Sequence, residues 1–198
     1  FIVAQKETGS ALVYISFFLM FYREGMTGSV LFTGVAMVIY FVVGIRYEEA
    51  LMFDTTTSIG KFAVLLLVQI FTSGMVYVYC KDKQQALTIL VYSVGITLLA
   101  LLFAVFVIPF DIVWVQLAVS AGLVGYLVYL WMNRRIKHYL YILLFTIGSI
   151  AFFYSADYVL NNIMEPHQRV RINVLLGLDE DLAGAGYNVH QSEIAIGS

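Results

Sequence analysis

Two polar islands hold nearly all the side chains in this sequence that could do chemistry. One is Gln5-Lys6-Glu7-Thr8-Gly9-Ser10. The other runs from Glu165-Pro166-His167-Gln168-Arg169-Val170-Arg171-Ile172 through Leu175-Leu176-Gly177-Leu178-Asp179-Glu180-Asp181. It closes with Gly184-Ala185-Gly186-Tyr187-Asn188-Val189-His190-Gln191-Ser192-Glu193-Ile194-Ala195-Ile196-Gly197-Ser198. Arg169 and Arg171 present planar forks of N–H donors that suit phosphate oxygens. Asp179, Glu180 and Asp181 can take up a proton or hold a divalent cation. Gly184 and Gly186 permit backbone shapes and close approaches that a side chain would forbid. Composition alone fits an ordinary solvated loop equally well.

Other chemistries find little footing. His138, His167 and His190 have no metal-ligand spacing among themselves and form no HxxxH pair. The single cysteine, Cys80, excludes a disulfide framework and a cysteine-rich metal site. There is no Gly-x-Ser-x-Gly, no phosphate-binding Gly-rich loop and no dinucleotide fingerprint. A net charge of −2 without a basic tract argues against nucleic acid as a partner.

The elements that must carry these islands are apolar. Of 198 residues, 61% are hydrophobic, 12% charged and 16% aromatic, with a mean hydropathy of +0.87. Soluble domains are about 45–50% apolar and about 25% charged, so too few charges are present to cover a water-exposed surface. The fold class expected is an all-α integral membrane protein. A helix crosses the hydrocarbon with roughly 20 apolar residues, because lipid offers no partner to an open backbone. Six spans are predicted, over about 9–22, 28–45, 62–80, 86–110, 112–132 and 139–160. Pro109 and Pro166 both fall at span ends, where a missing N–H does little harm. Phe1 is not a start methionine and no basic segment precedes the first span, so residue 1 reads as an internal position of a longer protein.

Short loops carrying Arg23, Lys81/Lys83 and Arg134/Arg135/Lys137 alternate with loops carrying Glu48, Glu49, Asp54 and Asp111, in which Arg46 and Lys61 are diluted by length, so the contrast is one of density. The positive-inside rule then puts the first group in the cytoplasm and both polar islands outside. Within the spans, Gln69, Gln116 and scattered Ser and Thr are suited to pairing helix with helix. Asp157 lies about one turn from the outer end of the last span, and reads either as a functional carboxylate or as a polar helix-end contact. Tyr77, Tyr79, Trp114 and Trp131 fall near span ends, where aromatic side chains collect at the lipid interface.

The order of residues in the second island resembles the SEDS family of membrane glycosyltransferases. The string is Gln168-Arg169-x-Arg171-Ile172, an acidic segment, Gly184-x-Gly186-Tyr187, Gln191-Ser192 and Ile194-Ala195-Ile196-Gly197-Ser198. Within that family it looks more like the RodA-like rod-shape branch than the FtsW-like division branch. The first island is similar to the family's Gln-Pro-Asp-Leu-Gly-Thr motif, which also opens a membrane helix on the outer side. The resemblance rests on about forty residues.

That resemblance implies polymerisation of lipid II into peptidoglycan glycan strands for cell elongation, on the external face of a bacterial inner membrane. It implies a class B penicillin-binding protein as partner, alongside lipid II and the membrane lipids. The family's essential aspartate precedes the Gly-x-Gly-Tyr turn, within an Asp-Pro-x-x-Asp-Pro pattern. Anchoring on Gly184–Tyr187 puts Asp181 at the catalytic position, with Asp179 and Glu180 as rivals if the loop is shifted. Leu178 and Leu182 stand where the prolines would be, and Gly177 replaces the first aspartate. Glu7, Arg169, Arg171, Gly184, Gly186, Tyr187, Gln191 and Ser192 are the implied substrate-binding residues. A divalent cation, Mg or Mn, is a candidate cofactor, although no metal ligand can be assigned.

The interval between the islands departs from the family. Glu7 and Arg169 lie roughly 160 positions apart, where the family has the remainder of one helix and one more. The expected organisation of 1–198 is therefore a fragment of one polytopic membrane domain. It comprises a first family-like helix at 9–26, a four-helix insertion at 27–135 and a helix at 136–164. An external catalytic loop at 165–187 and the start of a further helix at 188–198 follow. Four extra crossings return the chain to the same membrane face. Family helices are expected before Phe1 and beyond Ser198, and the fragment alone is expected to be inactive. Two other functions compete with the enzyme: a flippase or transporter of lipid-linked precursors, and a non-catalytic scaffold for a penicillin-binding protein. Neither an inverted repeat nor a midplane charge pair favours a transporter.

Overall fold

The computed structural model describes residues 20, 23, 25, 27–52 and 55–175. The described chain forms helices α1 (Gly28–Arg46), α2 (Ile59–Cys80), α3 (Lys83–Phe106), α4 (Ile112–Arg134), α5 (Lys137–Tyr158) and α6 (Pro166–Leu175). Helix α5 runs directly into a five-residue π-helical turn, Val159–Ile163. Counting α5 and that turn together, five of these helices are long and apolar enough to cross a membrane. This is the all-helical architecture, with helices of membrane length and apolarity, that the composition leads one to expect. Among the described residues there is no strand, only a bridge between Leu51 and Ser58. Apart from Met20, the predicted span at 9–22 lies outside the described residues.

Several helices begin earlier than their apolar runs. Helix α2 starts at Ile59 rather than 62, α3 at Lys83 rather than 86, and α5 at Lys137 rather than 139. Each gained turn carries a lysine, whose aliphatic stem can lie along apolar surface while its ammonium reaches water. Helix α3 stops at Phe106, short of the predicted 110. Pro109 lacks an N–H and disfavours helical geometry at Ile108. The chain closes instead with the amides of Val107 and Ile108 both donating to the Phe103 carbonyl, at 3.0 and 3.3 Å.

Residues Tyr40–Asp157 form one compact unit. Within it α2 packs against α3 and α4, which pack on each other. Half of the central window of α2 is buried, against 22% for α3. The burial pattern of α3 suits lipid rather than water. Its buried positions are Ala86, Ser93, Thr97 and Ala104 with one larger side chain, Ile89, whereas Leu87, Val91, Leu99, Leu102 and Phe106 are exposed. Small and polar side chains inside let helices approach and hydrogen-bond, while large apolar ones face hydrocarbon without cost. Trp114, Trp131 and Tyr77 are exposed near helix ends, as an interfacial belt requires.

The α1–α2 connection is tight. Gly60 donates its N–H to the Tyr47 carbonyl at 2.9 Å. A Cβ there would run into the Gly44 carbonyl oxygen and lie 3.0 and 3.1 Å from the carbonyl carbon and oxygen of Tyr47. Gly44 in turn accepts the Phe153 ring of α5, whose Cε2 would stand 2.5 Å from an added Cβ. These two glycines let three helices approach at one end of the unit.

The second compact unit takes the described residues up to Ile39 together with those from Tyr158 onward. It holds the first part of α1, the π turn and α6. Thr27 opens α1, its carbonyl accepting from the Val30 amide at 3.0 Å.

Candidate functional site

The second polar island begins where α5 ends. The π turn widens the last helical turn, and the Met164 amide closes it on the Val159 carbonyl at 2.9 Å. Glu165 and Pro166 then start a new helix. Proline at the first helical position costs nothing, since that N–H would be unpaired in any case. The Glu165 carbonyl accepts from the amides of Gln168 and Arg169 at 2.9 and 3.2 Å. Gln168 returns its Oε1 to the Glu165 amide at 3.4 Å, the back half of a capping box. The segment expected as loop from 165 onward is thus helical over Pro166–Leu175. The signal was legible, a proline followed two positions on by glutamine, but the polarity of the stretch masked it.

This helix sets the position of Arg169. Its Nη2 donates to the carbonyls of Leu160 at 2.6 Å and Asn161 at 2.8 Å. Those carbonyls belong to the end of a helix, where they have no intrahelical donors, and a cation there also offsets the negative end of the helix dipole. Arg169 therefore clamps α6 onto the end of the α5 extension. Its Nε is buried with no hydrogen-bond partner. Arg171 lies two positions along the same helix. Glu7, Asp179, Glu180, Asp181, Gly184, Gly186, Tyr187, Gln191 and Ser192 lie outside the described residues, so Arg169 and Arg171 are the members of the expected site within them.

The remaining described acids whose partners are resolved serve the fold. Asp157 pairs with Lys61 at 3.7 Å, joining the last turn of α5 to the first turn of α2. Of the two readings of Asp157, the structure supplies the helix-end contact. The sequence placed Lys61 in a loop and so hid this partner. Asp111 caps α4, its Oδ1 accepting from the Val113 amide at 3.1 Å and from the Thr57 hydroxyl at 3.1 Å. Thr57 Oγ1 in turn accepts from the Ile112 amide at 2.8 Å. Asp82 caps α3 through the Gln85 amide at 3.1 Å and pairs with Arg134. Among the described residues, no group of three or more His, Cys, Asp or Glu is placed to hold a metal ion. The acidic run at 179–181 lies outside the described residues.

Polar side chains also cross the interior of the larger unit. The single Thr97 hydroxyl proton is shared between Gln69 Oε1 at 3.2 Å and the Ser93 carbonyl at 2.9 Å, Gln116 Nε2 donates to the Phe62 carbonyl at 3.1 Å, and Thr72 and Thr146 hydroxyls meet at 2.9 Å. These bonds tie α2 to α3, α4 and α5 in turn, which is the helix-to-helix pairing expected of them. Gln69 Nε2, Gln116 Oε1 and Ser120 Oγ are buried without a hydrogen-bond partner. No family model, no curated protein and no solved structure matches the chain.

Proposed function

We propose that this chain belongs to a SEDS-type, RodA-like peptidoglycan glycosyltransferase that polymerises lipid II on the external face of a bacterial inner membrane. The observation that carries the reading is the ordered string from Gln168-Arg169-x-Arg171-Ile172 through Asp181 and Gly184-x-Gly186-Tyr187 to Gln191-Ser192 and Ile194–Ser198. What supports it physically is that this string follows directly on a membrane-length helix, and that its arginines lie on a capped helix leading toward the acidic run.

In the proposed reaction the 4-hydroxyl oxygen of the acceptor sugar attacks the anomeric carbon of the donor. A C–O bond forms there as the bond to the lipid pyrophosphate breaks, and the pyrophosphate leaves with the electron pair. Asp181 receives the hydroxyl proton, which a poor nucleophile must lose as attack proceeds. The neighbouring Asp179 and Glu180 favour proton uptake by crowding like charge. Arg171 offsets the charge that grows on the pyrophosphate. Arg169 contributes through the part of its guanidinium not held by Leu160 and Asn161, and otherwise fixes α6. Glu7, Gly184, Gly186, Tyr187, Gln191 and Ser192 complete the substrate site.

The test is to incubate the protein carrying this chain with lipid II and a class B penicillin-binding protein whose transpeptidase centre is blocked. Glycan strands are the expected product. Transfer of lipid II across a vesicle bilayer without strand formation would instead favour a flippase, and partner binding with neither activity would favour a scaffold.

A further inference from the structure

Five cations crowd the end of the larger unit where α2 and α4 finish and α3 and α5 begin: Lys81, Lys83, Arg134, Arg135 and Lys137. Among the described residues the one acid in these turns is Asp82, and it is already engaged by Arg134. Among the described residues the other four have no carboxylate partner.

Two of them share a cavity of about 690 Å³ between the last turn of α4 and the first turns of α5, lined by Trp131, Met132, Arg135, Lys137, Leu140 and Tyr141. Its chemistry is divided by depth. Arg135 and Lys137 sit at the turn between the helices. Trp131 and Tyr141 lie about one helical turn further into their spans, on the order of 6 Å along the axis. Arg135 caps α4 in the left-handed region at φ 52°, as Lys81 caps α2 at φ 53°, so backbone conformation does not distinguish the two cations and the cavity lining alone singles out Arg135.

We infer that this cavity binds the headgroup of an anionic membrane phospholipid. Arg135 and Lys137 meet the phosphodiester, and Trp131, Met132, Leu140 and Tyr141 take the glycerol and the first acyl carbons. Cations at the water boundary above an aromatic and aliphatic wall match the layering of such a lipid. A free phosphate ion would leave the apolar wall unused. The groove between α3 and α4, about 570 Å³ and lined by Tyr92, Ile96, Val119 and Gly122 among others, has no charged lining residue and so selects no headgroup.

The experiment is native mass spectrometry of the purified protein in neutral detergent, titrated with dioleoyl phosphatidylglycerol or dioleoyl phosphatidylcholine. Phosphatidylglycerol is expected to be retained about tenfold better, in line with the attraction of two cations for an anionic headgroup. R135Q/K137Q abolishes most of that preference, whereas K81Q/K83Q, with the same change in net charge, alters it less than about twofold. R135G should weaken lipid retention while raising the melting temperature, which separates loss of the site from loss of the fold. Inorganic phosphate should leave the lipid bound. Equal loss in both double variants would overturn the inference in favour of diffuse surface charge. Equal retention of the two lipids, or displacement by inorganic phosphate, would also overturn it.

Discussion

Replacing Arg169 by glutamine separates two roles that the sequence alone merges. The guanidinium makes two charge-assisted bonds to the carbonyls of Leu160 and Asn161 from one nitrogen. Bonds from a charged donor contribute about 1.5–3 kcal/mol when well buried. Arg169 is only partly buried, and solvent competes for its bonds, so the pair together is worth about 1–3 kcal/mol. The loss falls on one junction, between the π turn and α6. Hydrogen exchange followed by mass spectrometry should therefore show protection across 159–175 falling roughly five- to 150-fold, since about 1.4 kcal/mol corresponds to a factor of ten. Exchange across 59–106 should not change. Arg169→Lys keeps a cation at the helix end but offers one flexible ammonium, and should recover about half of the free energy. If Arg169→Gln leaves 159–175 as protected as before, the clamp contributes nothing and the reasoning fails.

Two further substitutions probe the packing that holds the larger unit together. Gly60→Ala should destabilise by about 1–3 kcal/mol, because the added methyl meets backbone at Gly44 and Tyr47 that cannot rotate away. Gly122→Ala, where a Cβ meets nothing within 4 Å, should be neutral or slightly stabilising. Equal melting temperatures for the two would contradict the close α1–α2 approach. Thr97→Val should cost about 0.5–2 kcal/mol by removing the hydroxyl shared by the Gln69 amide and the Ser93 carbonyl, whereas Gln69→Leu removes the half-satisfied amide, leaves Thr97 bonded to Ser93 and should cost less. The opposite order in steric-trapping or denaturant measurements would show that the Gln69 amide is satisfied by something else.

The five helices long and apolar enough to cross a membrane were legible because a run of about 20 apolar residues has few fates besides crossing a bilayer. Their ends were less so. Lys61, Lys83 and Lys137 read as loop by charge, yet each occupies a first helical turn. Helix α3 ended early because Pro109 acts on residues before it, an effect that an apolar count ignores. Partners distant in sequence were beyond reach: nothing in the sequence joins Lys61 to Asp157 or Thr57 to Asp111, because packing selects those pairs. At the candidate site the motif residues stood out by type and order. The capped helix that carries Arg169 and Arg171 was obscured by its own polarity, and the clamp on Leu160 and Asn161 depends on backbone carbonyls that have no signature in sequence.

The most direct measurement for the central claim is the rate of strand formation from lipid II by Asp181→Asn, set beside Asp179→Asn and Glu180→Gln in the same protein with its partner bound. The reading of Asp181 as the proton acceptor requires Asp181→Asn to lose about 100-fold or more in rate, while the two neighbours keep most of theirs and all three bind the partner normally. Strand formation by Asp181→Asn at the unaltered rate would contradict it.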